Sequence, residues 1–114
     1  MGNEVWNVLI IYGDKSHMVA DELYNKYSKY DCGGVQWVQK NITMKHGNSY
    51  ASIKLYSSWN PIHKELVDLS LKYKLWIKNT FYIECRACGE GVIVVDNGET
   101  LANARYYDHE QDFN

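Results

Sequence analysis

Two stretches with helical spacing of apolar residues, each set between strand-like runs, predict an α+β fold. A second observation supports that class: the junction Ser57-Ser58-Trp59-Asn60-Pro61 ends a strand, offers a helix cap and carries a large aromatic. Asn60 is expected to accept a hydrogen bond from the first-turn amides. Pro61 is expected to take the first helical position, where its missing N–H is not needed. The third observation is size, since 114 residues suit one domain and can bury a core without staples. Residues 1–107 are expected to form that domain, and 108–114 an acidic C-terminal tail.

Trp6 to Tyr12 is a short apolar run rich in branched residues, bounded by Asn3-Glu4 and Gly13-Asp14, and reads as a strand buried on both faces. From Ser16 the period changes. Val19, Leu23, Tyr27 and Tyr30 recur at helical spacing with Asp21, Glu22, Asn25 and Lys26 between them, so an amphipathic helix is expected up to Asp31-Cys32-Gly33-Gly34. Trp37 to Lys45 and Tyr50 to Trp59 flank the compact turn His46-Gly47-Asn48-Ser49 and read as an antiparallel hairpin. In its second strand Ile53 and Leu55 alternate with Ser52, Lys54 and Tyr56, as one covered and one wetter face require.

After Pro61, the residues Ile62, Leu66, Leu69 and Tyr73 again follow helical spacing, backed by Val67 and Trp76, and this helix is expected to end near Lys74. Phe81 to Cys85 and Val92 to Val95 are strand-like, separated by a Gly89-Glu90-Gly91 turn. Asp96-Asn97-Gly98 is a further turn signal, and 101–107 add a short edge strand. The order is strand, helix, strand, strand, helix, strand. Right-handed crossovers then place both helices on one face of an antiparallel sheet. That is a ferredoxin-like βαββαβ sandwich with a C-terminal strand extension and an acidic tail.

A hydrophobic content of 46% with 23% charged residues is ordinary for a globular chain, whereas ten Tyr and four Trp supply many rings for a core or a partner surface. The net charge of −2 hides an asymmetry. Residues 1–95 are slightly basic, while 96–114 set Arg105 against Asp96, Glu99, Asp108, Glu110 and Asp112. Neither part carries the strongly basic footprint of a duplex-binding module. Lys40, Lys45, Lys54, Lys72, Lys74 and Lys78 read as a scattered, solvated set.

Three Cys is an odd number, and no basic start precedes a long apolar run, which argues against a secreted disulfide framework and for a reducing cytoplasm. Val8-Leu9-Ile10-Ile11 is too short to span a bilayer, and Trp6 sits where N-myristoylation needs Ser or Thr. No membrane role is expected.

Several motifs, in order, resemble the YubB/Api92-like proteins of phages and plasmids. The resemblance starts with Met1, Asn3, Asn7, Leu9, Ile11 and Gly13, which match an N-terminal Met-x-Asn-x-x-x-Asn-x-Leu-x-Ile-x-Gly pattern. Gly34-Val35-Gln36-Trp37 matches a Gly-x-x-Trp before the hairpin. Trp59-Asn60-Pro61-Ile62 is similar to the family's Trp-Ser-Pro-Pro, and Tyr82-Ile83-Glu84 to its Tyr-x-Glu segment. These motifs span residues 1 to 91 or so. Glu4-Val5-Trp6 and Cys85-Arg86-Ala87-Cys88 depart from the pattern, as in a diverged member. The resemblance implies a ferredoxin-like accessory protein of a mobile element, with no established reaction.

Among candidate sites, Cys85 and Cys88 supply only half of a structural zinc set. Completing it would take Cys32, His17, His46, His63 or His109. Residues three apart on an extended strand point to opposite faces, so ordinary buried or unpaired thiols are the default and no metal or cofactor is expected. His46 and His63 with Glu84 form no acid-base group by spacing, and Glu84 is expected to serve structure. Gly89-Glu90-Gly91 lacks the remaining glycine and the Lys-Ser/Thr of a phosphate loop.

The expected role is that of a non-enzymatic accessory protein in the host cytoplasm, binding and inhibiting a host defence protein such as a CRISPR effector nuclease with a basic nucleic-acid channel. That step rests on analogy with small proteins of mobile elements. The surface expected to serve it is Tyr106, Tyr107, Asp108, Glu110, Asp112 and Phe113, where rigid rings accompany carboxylates. One alternative is a single-stranded nucleic-acid module using Tyr12, Tyr50 and Tyr56 on the sheet face. The other is an enzyme acting on a nucleotide signal, which needs histidines and acids converging on a pocket. Oligomeric state is not legible in the sequence.

Overall fold

A computed structural model describes residues 4–27, 29–32, 35–38, 43–46, 50–58, 60–84 and 89–107; at 4, 29–46, 58, 84, 106 and 107 the description is of the backbone alone. The chain is α+β, with a mainly antiparallel sheet and two helices. The elements are β1 (Glu4–Tyr12), α1 (Ser16–Tyr27), β2 (Lys29–Cys32), β3 (Val35–Val38), β4 (Thr43–His46), β5 (Tyr50–Ser58), α2 (Lys64–Tyr73), β6 (Trp76–Glu84), β7 (Gly89–Asp96) and β8 (Glu99–Tyr107). The large sheet runs β4-β5-β1-β6-β7-β8, and β2 pairs with β3 apart from it.

Alternation along the strands puts every second residue under the helices. Val5, Asn7, Leu9 and Ile11 of β1, Ala51, Ile53 and Leu55 of β5, Ile77, Asn79 and Phe81 of β6, and Ile93 and Val95 of β7 are buried on one face. Val19, Ala20 and Leu23 of α1, together with Leu66 of α2 and the flanking Ile62 and Leu75, close this core from above. The expectation that β1 is buried on both faces fails: Trp6, Val8 and Ile10 are half-buried and Tyr12 is exposed, because both helices lie on the opposite face.

A buried polar knot ties the central strands to the run-in of α2. Asn7 Nδ2 donates to Ser57 Oγ at 2.9 Å, while Asn7 Oδ1 accepts from Asn79 Nδ2 at 2.9 Å and from the Ile62 N–H at 3.0 Å. Asn79 Nδ2 also reaches the Ile62 carbonyl at 3.1 Å, and Ser57 Oγ donates to the Asn60 carbonyl at 2.7 Å. These contacts overturn the capping expectation. The Ile62 carbonyl accepts from Asn79, and the Val67 N–H donates to the His63 carbonyl at 3.0 Å. α2 therefore starts at Lys64 with His63 at the cap position and no side-chain cap, and neither Asn60 nor Pro61 plays the expected part. Its C-terminal end falls where expected, at Lys74 in the left-handed conformation.

Other boundaries also move. Tyr30 belongs to β2, opposite Trp37 of β3, so α1 stops at Tyr27; the expected strand from Trp37 to Lys45 is split between β3 and β4, in two different sheets. Trp76 starts β6 and does not back α2. Gly89-Glu90-Gly91 is strand, not turn: Gly91 lies in β7, where a Cβ would run into the Phe81 ring and the Ala104 carbonyl. The Asp96-Asn97-Gly98 turn holds, with Asn97 at φ 47 and Gly98 at φ 87, as a tight hairpin requires. β8 is longer than expected, and a bulge leaves Leu101 without a partner between the Val94↔Ala102 and Val95↔Thr100 pairs.

Asn7→Ala is expected to lower the unfolding free energy by about 3 kcal/mol, because it strands the Ile62 N–H and an Asn79 donor in the core. Asn60→Ala is expected to stay within about 0.5 kcal/mol of the parent, because Ser57 uses the Asn60 backbone and no cap is lost. Urea midpoints of both variants check the pair. A loss of about 1 kcal/mol or more at Asn60 would restore the capping role.

Candidate binding surface on the open face of the sheet

The strand residues that point away from the helices share the other face, and the pairing arranges them in four rows. One end row reads Tyr50, Tyr12, Trp76, Asp96, Glu99 across β5, β1, β6, β7 and β8; the next reads Ser52, Ile10, Lys78, Val94, Ala102. Then come Lys54, Val8, Thr80, Val92, Ala104, and finally Tyr56, Trp6, Tyr82, Glu90, Tyr106. Rings thus stand at both ends of the central strands. The two end rows lie six residue steps apart along β1, roughly 20 Å of extended chain.

The Tyr12 ring lies 5.3 Å from Trp76 and 6.4 Å from Tyr50, while Trp6 lies 4.4 Å from Tyr56, all tilted rather than stacked. Tyr12 is 52% exposed, and Tyr50 and Tyr82 are 41% exposed, so much of this ring surface faces solvent. Charge on the face is divided. Lys54 and Lys78 sit on β5 and β6, whereas Glu90 and Asp96 sit on β7. Lys78, Thr80, Tyr82, Glu90 and Val92 line a shallow depression where the two halves meet.

Tyr12, Tyr50 and Tyr56, singled out from the sequence, do lie on this face, Tyr12 paired with Tyr50 at one end and Tyr56 at the other. Trp76, Trp6, Tyr82, Lys54 and Lys78 were missed. Trp76 fits the helical spacing after Leu69 as well as it fits a strand, and only the register puts Lys54 and Lys78 in adjacent rows. Of the acidic-tail surface, Tyr106 and Tyr107 form the end of β8, with Tyr106 opposite Glu90. Asp108, Glu110, Asp112 and Phe113 lie outside the described residues, as do Trp59, Cys85, Cys88 and His109. His63 meets Thr100 Oγ1 at 2.9 Å, while for His46 and Glu84 only the backbone is described. Among the described residues, no group of three or more His, Cys, Asp or Glu is placed to hold a metal ion, and no helix is long and apolar enough to cross a membrane.

The helical side carries a second groove, between α1 and α2, lined by Leu23, Asp68 and Leu69. Two polar clamps bridge it. Glu65 accepts from the Tyr27 hydroxyl at 2.6 Å and pairs with Lys26 at 3.1 Å; Glu22 accepts from the Tyr73 hydroxyl at 2.5 Å and pairs with Lys72 at 3.2 Å. The Tyr73 hydroxyl and the Lys72 ammonium hold Glu22 below the usual carboxylate range, and Glu22 in turn raises Lys72. Burial, then the Glu65 carboxylate, pushes the Tyr27 phenol well above its ordinary value. With their carboxylates engaged across the helices, these residues serve packing. The open face is the candidate site.

No family model, curated protein or solved structure gives a significant match to this chain.

Because Tyr27 stays protonated in the folded chain, its contribution to stability is fully present below its unfolded pKa of about 10 and is lost as pH rises above it. Denaturant titrations across that range are expected to show a steeper alkaline decline for the parent than for Tyr27→Phe. Parallel declines would mean that the Tyr27 phenol does not report the clamp.

Proposed function

We propose that this chain is a non-enzymatic binding protein of a phage or plasmid, with the open face of the sheet as its working surface. One observation carries the reading: aromatic rings, exposed by up to 52%, stand at both ends of a face that neither α1 nor α2 covers. Tyr and Trp bring large, rigid contact area at low entropic cost, which is why they anchor interfaces. The order β4-β5-β1-β6, with α1 after β1 and α2 after β5, supports a ferredoxin-like βαββαβ core. On this reading β2 and β3 are an insertion, and β7 and β8 the C-terminal extension.

The resemblance to YubB/Api92-like proteins fits that arrangement. Leu9 and Ile11 are core residues of β1, Asn7 is the centre of the buried knot, and Gly13 follows β1 with a positive φ. The shared pattern then describes a fold, and function lies on surfaces away from it.

The target we favour is a host defence protein in the cytoplasm, of the CRISPR effector nuclease type, inhibited by occupation of a basic surface. On β7, Glu90 stands beside Tyr82 and Asp96 beside Trp76, so each end of the open face joins a ring to a carboxylate. Tyr106, in register with Glu90, leads from there towards Asp108, Glu110, Asp112 and Phe113.

Affinity capture from host lysate, followed by a cleavage assay, tests this reading. The chain is expected to retain an effector nuclease and to inhibit its cleavage. Tyr82→Ala with Glu90→Lys is expected to weaken retention at least about tenfold, the effect of one interface hot spot. Retention of no protein partner would sink the defence target.

A further inference from the structure

We infer that the lysine-bearing half of the open face, over β5, β1 and β6, takes a single-stranded nucleic acid. This rests on the reading of the open face as the working surface, and it names a polymer that this half of the surface touches. The juxtaposition behind it is of two kinds of group. Tyr50, Tyr12 and Trp76 line one end of the three central strands, and Tyr56, Trp6 and Tyr82 the other. Between them stand Lys54 and Lys78, in adjacent rows. Both ion pairs found among the described residues lie on the helical side and use Lys26 and Lys72. Lys54 and Lys78 have no ion-pair partner among those residues.

Solvent-exposed rings such as Tyr12, and ammonium groups without an ion-pair partner among the described residues, are complementary to a polymer that alternates planar bases with phosphates. A single strand fits and a duplex does not. Only unstacked bases offer their π-faces to a sheet, whereas a duplex hides them and needs a broad basic surface. That breadth is missing, because Glu90 and Asp96 of β7 turn the neighbouring part of the face acidic. The same carboxylates bound the path, since a phosphate moved from β6 onto β7 meets like charge. The strand therefore runs over β5, β1 and β6, with bases on the two ring rows and intervening phosphates at Lys54 and Lys78. A guide-bearing nuclease presents such a strand, so this contact and the protein contact proposed above are compatible.

Fluorescence anisotropy with labelled oligo(U), oligo(dT) and a duplex, each of about 12 nucleotides, tests the inference on the full chain. Both single strands are expected to bind at about 50 mM salt, with the duplex at least about tenfold weaker; oligo(U) against oligo(dT) tells RNA from DNA preference. Two neutralised phosphates predict a slope of log affinity on log salt of about −1.4. Lys54→Gln with Lys78→Gln is expected to flatten that slope towards zero. Tyr12→Ala and Trp76→Ala are each expected to weaken binding about 5- to 100-fold, while Tyr12→Phe, which keeps both ring and fold, binds like the parent.

Absence of binding to either single strand, or equal binding to the duplex, overturns the inference. So does affinity unchanged in Tyr12→Ala, Trp76→Ala and the double lysine variant. A chain that captures and inhibits a nuclease yet binds no strand overturns this inference alone and leaves the open-face reading standing. A chain that binds strands through Tyr12 and Trp76 but retains no host protein supports the inference and removes the defence target.

Discussion

Asn7 is the side chain on which the arrangement of this protein depends. It lies fully buried in β1 between β5 and β6, and its two amide ends bond Ser57 of β5, Asn79 of β6 and the backbone of Ile62 ahead of α2. A buried amide without partners is costly, so the site is favourable only when all three segments arrive together. The knot therefore selects one placement of the run-in to α2. The helix starts beyond this anchored segment, with His63 at its cap position.

With α2 held there, and α1 joined to it through Glu65 and Glu22, both helices cover the same face of the sheet. The consequence is asymmetry. One face is a closed apolar core built on Leu9, Ile53, Ile77, Phe81 and Ile93. The other keeps Trp6, Tyr12, Tyr50, Trp76 and Tyr82 partly in water, and exposed apolar surface is a common mark of an interaction site. β7 and β8 widen the face and bring the carboxylates that divide its charge.

Much of the fold was legible because local period and core position agreed. Val19 and Leu23 marked α1, Leu66 lay on the buried side of α2, and Ile53 with Leu55 marked the covered face of β5. Legibility failed where a distant partner outweighed a local preference. Tyr30 continued the spacing of α1 and yet pairs with Trp37; Asn60 and Pro61 carried the residue types of a helix start and yet stand before it. Gly91 looked like a turn glycine and is a strand residue that makes room for Phe81. The candidate surface was legible only as separate residues: Tyr12, Tyr50 and Tyr56 were candidates, but Trp76 beside Tyr12 and the placing of Lys54 and Lys78 in adjacent rows depend on register.

By itself, then, the sequence determined the α+β class, both helices, most strands, the Asn97-Gly98 hairpin and an excess of rings over what a small core needs. Those properties follow from period, turn chemistry and composition, which are local. Only the tertiary structure decided where α2 begins, which face of β1 stays open, and which aromatics and lysines meet across β5, β1 and β6. Each of these depends on hydrogen bonds between residues far apart in the chain, and shifting a strand by one residue would turn every one of its side chains to the other face.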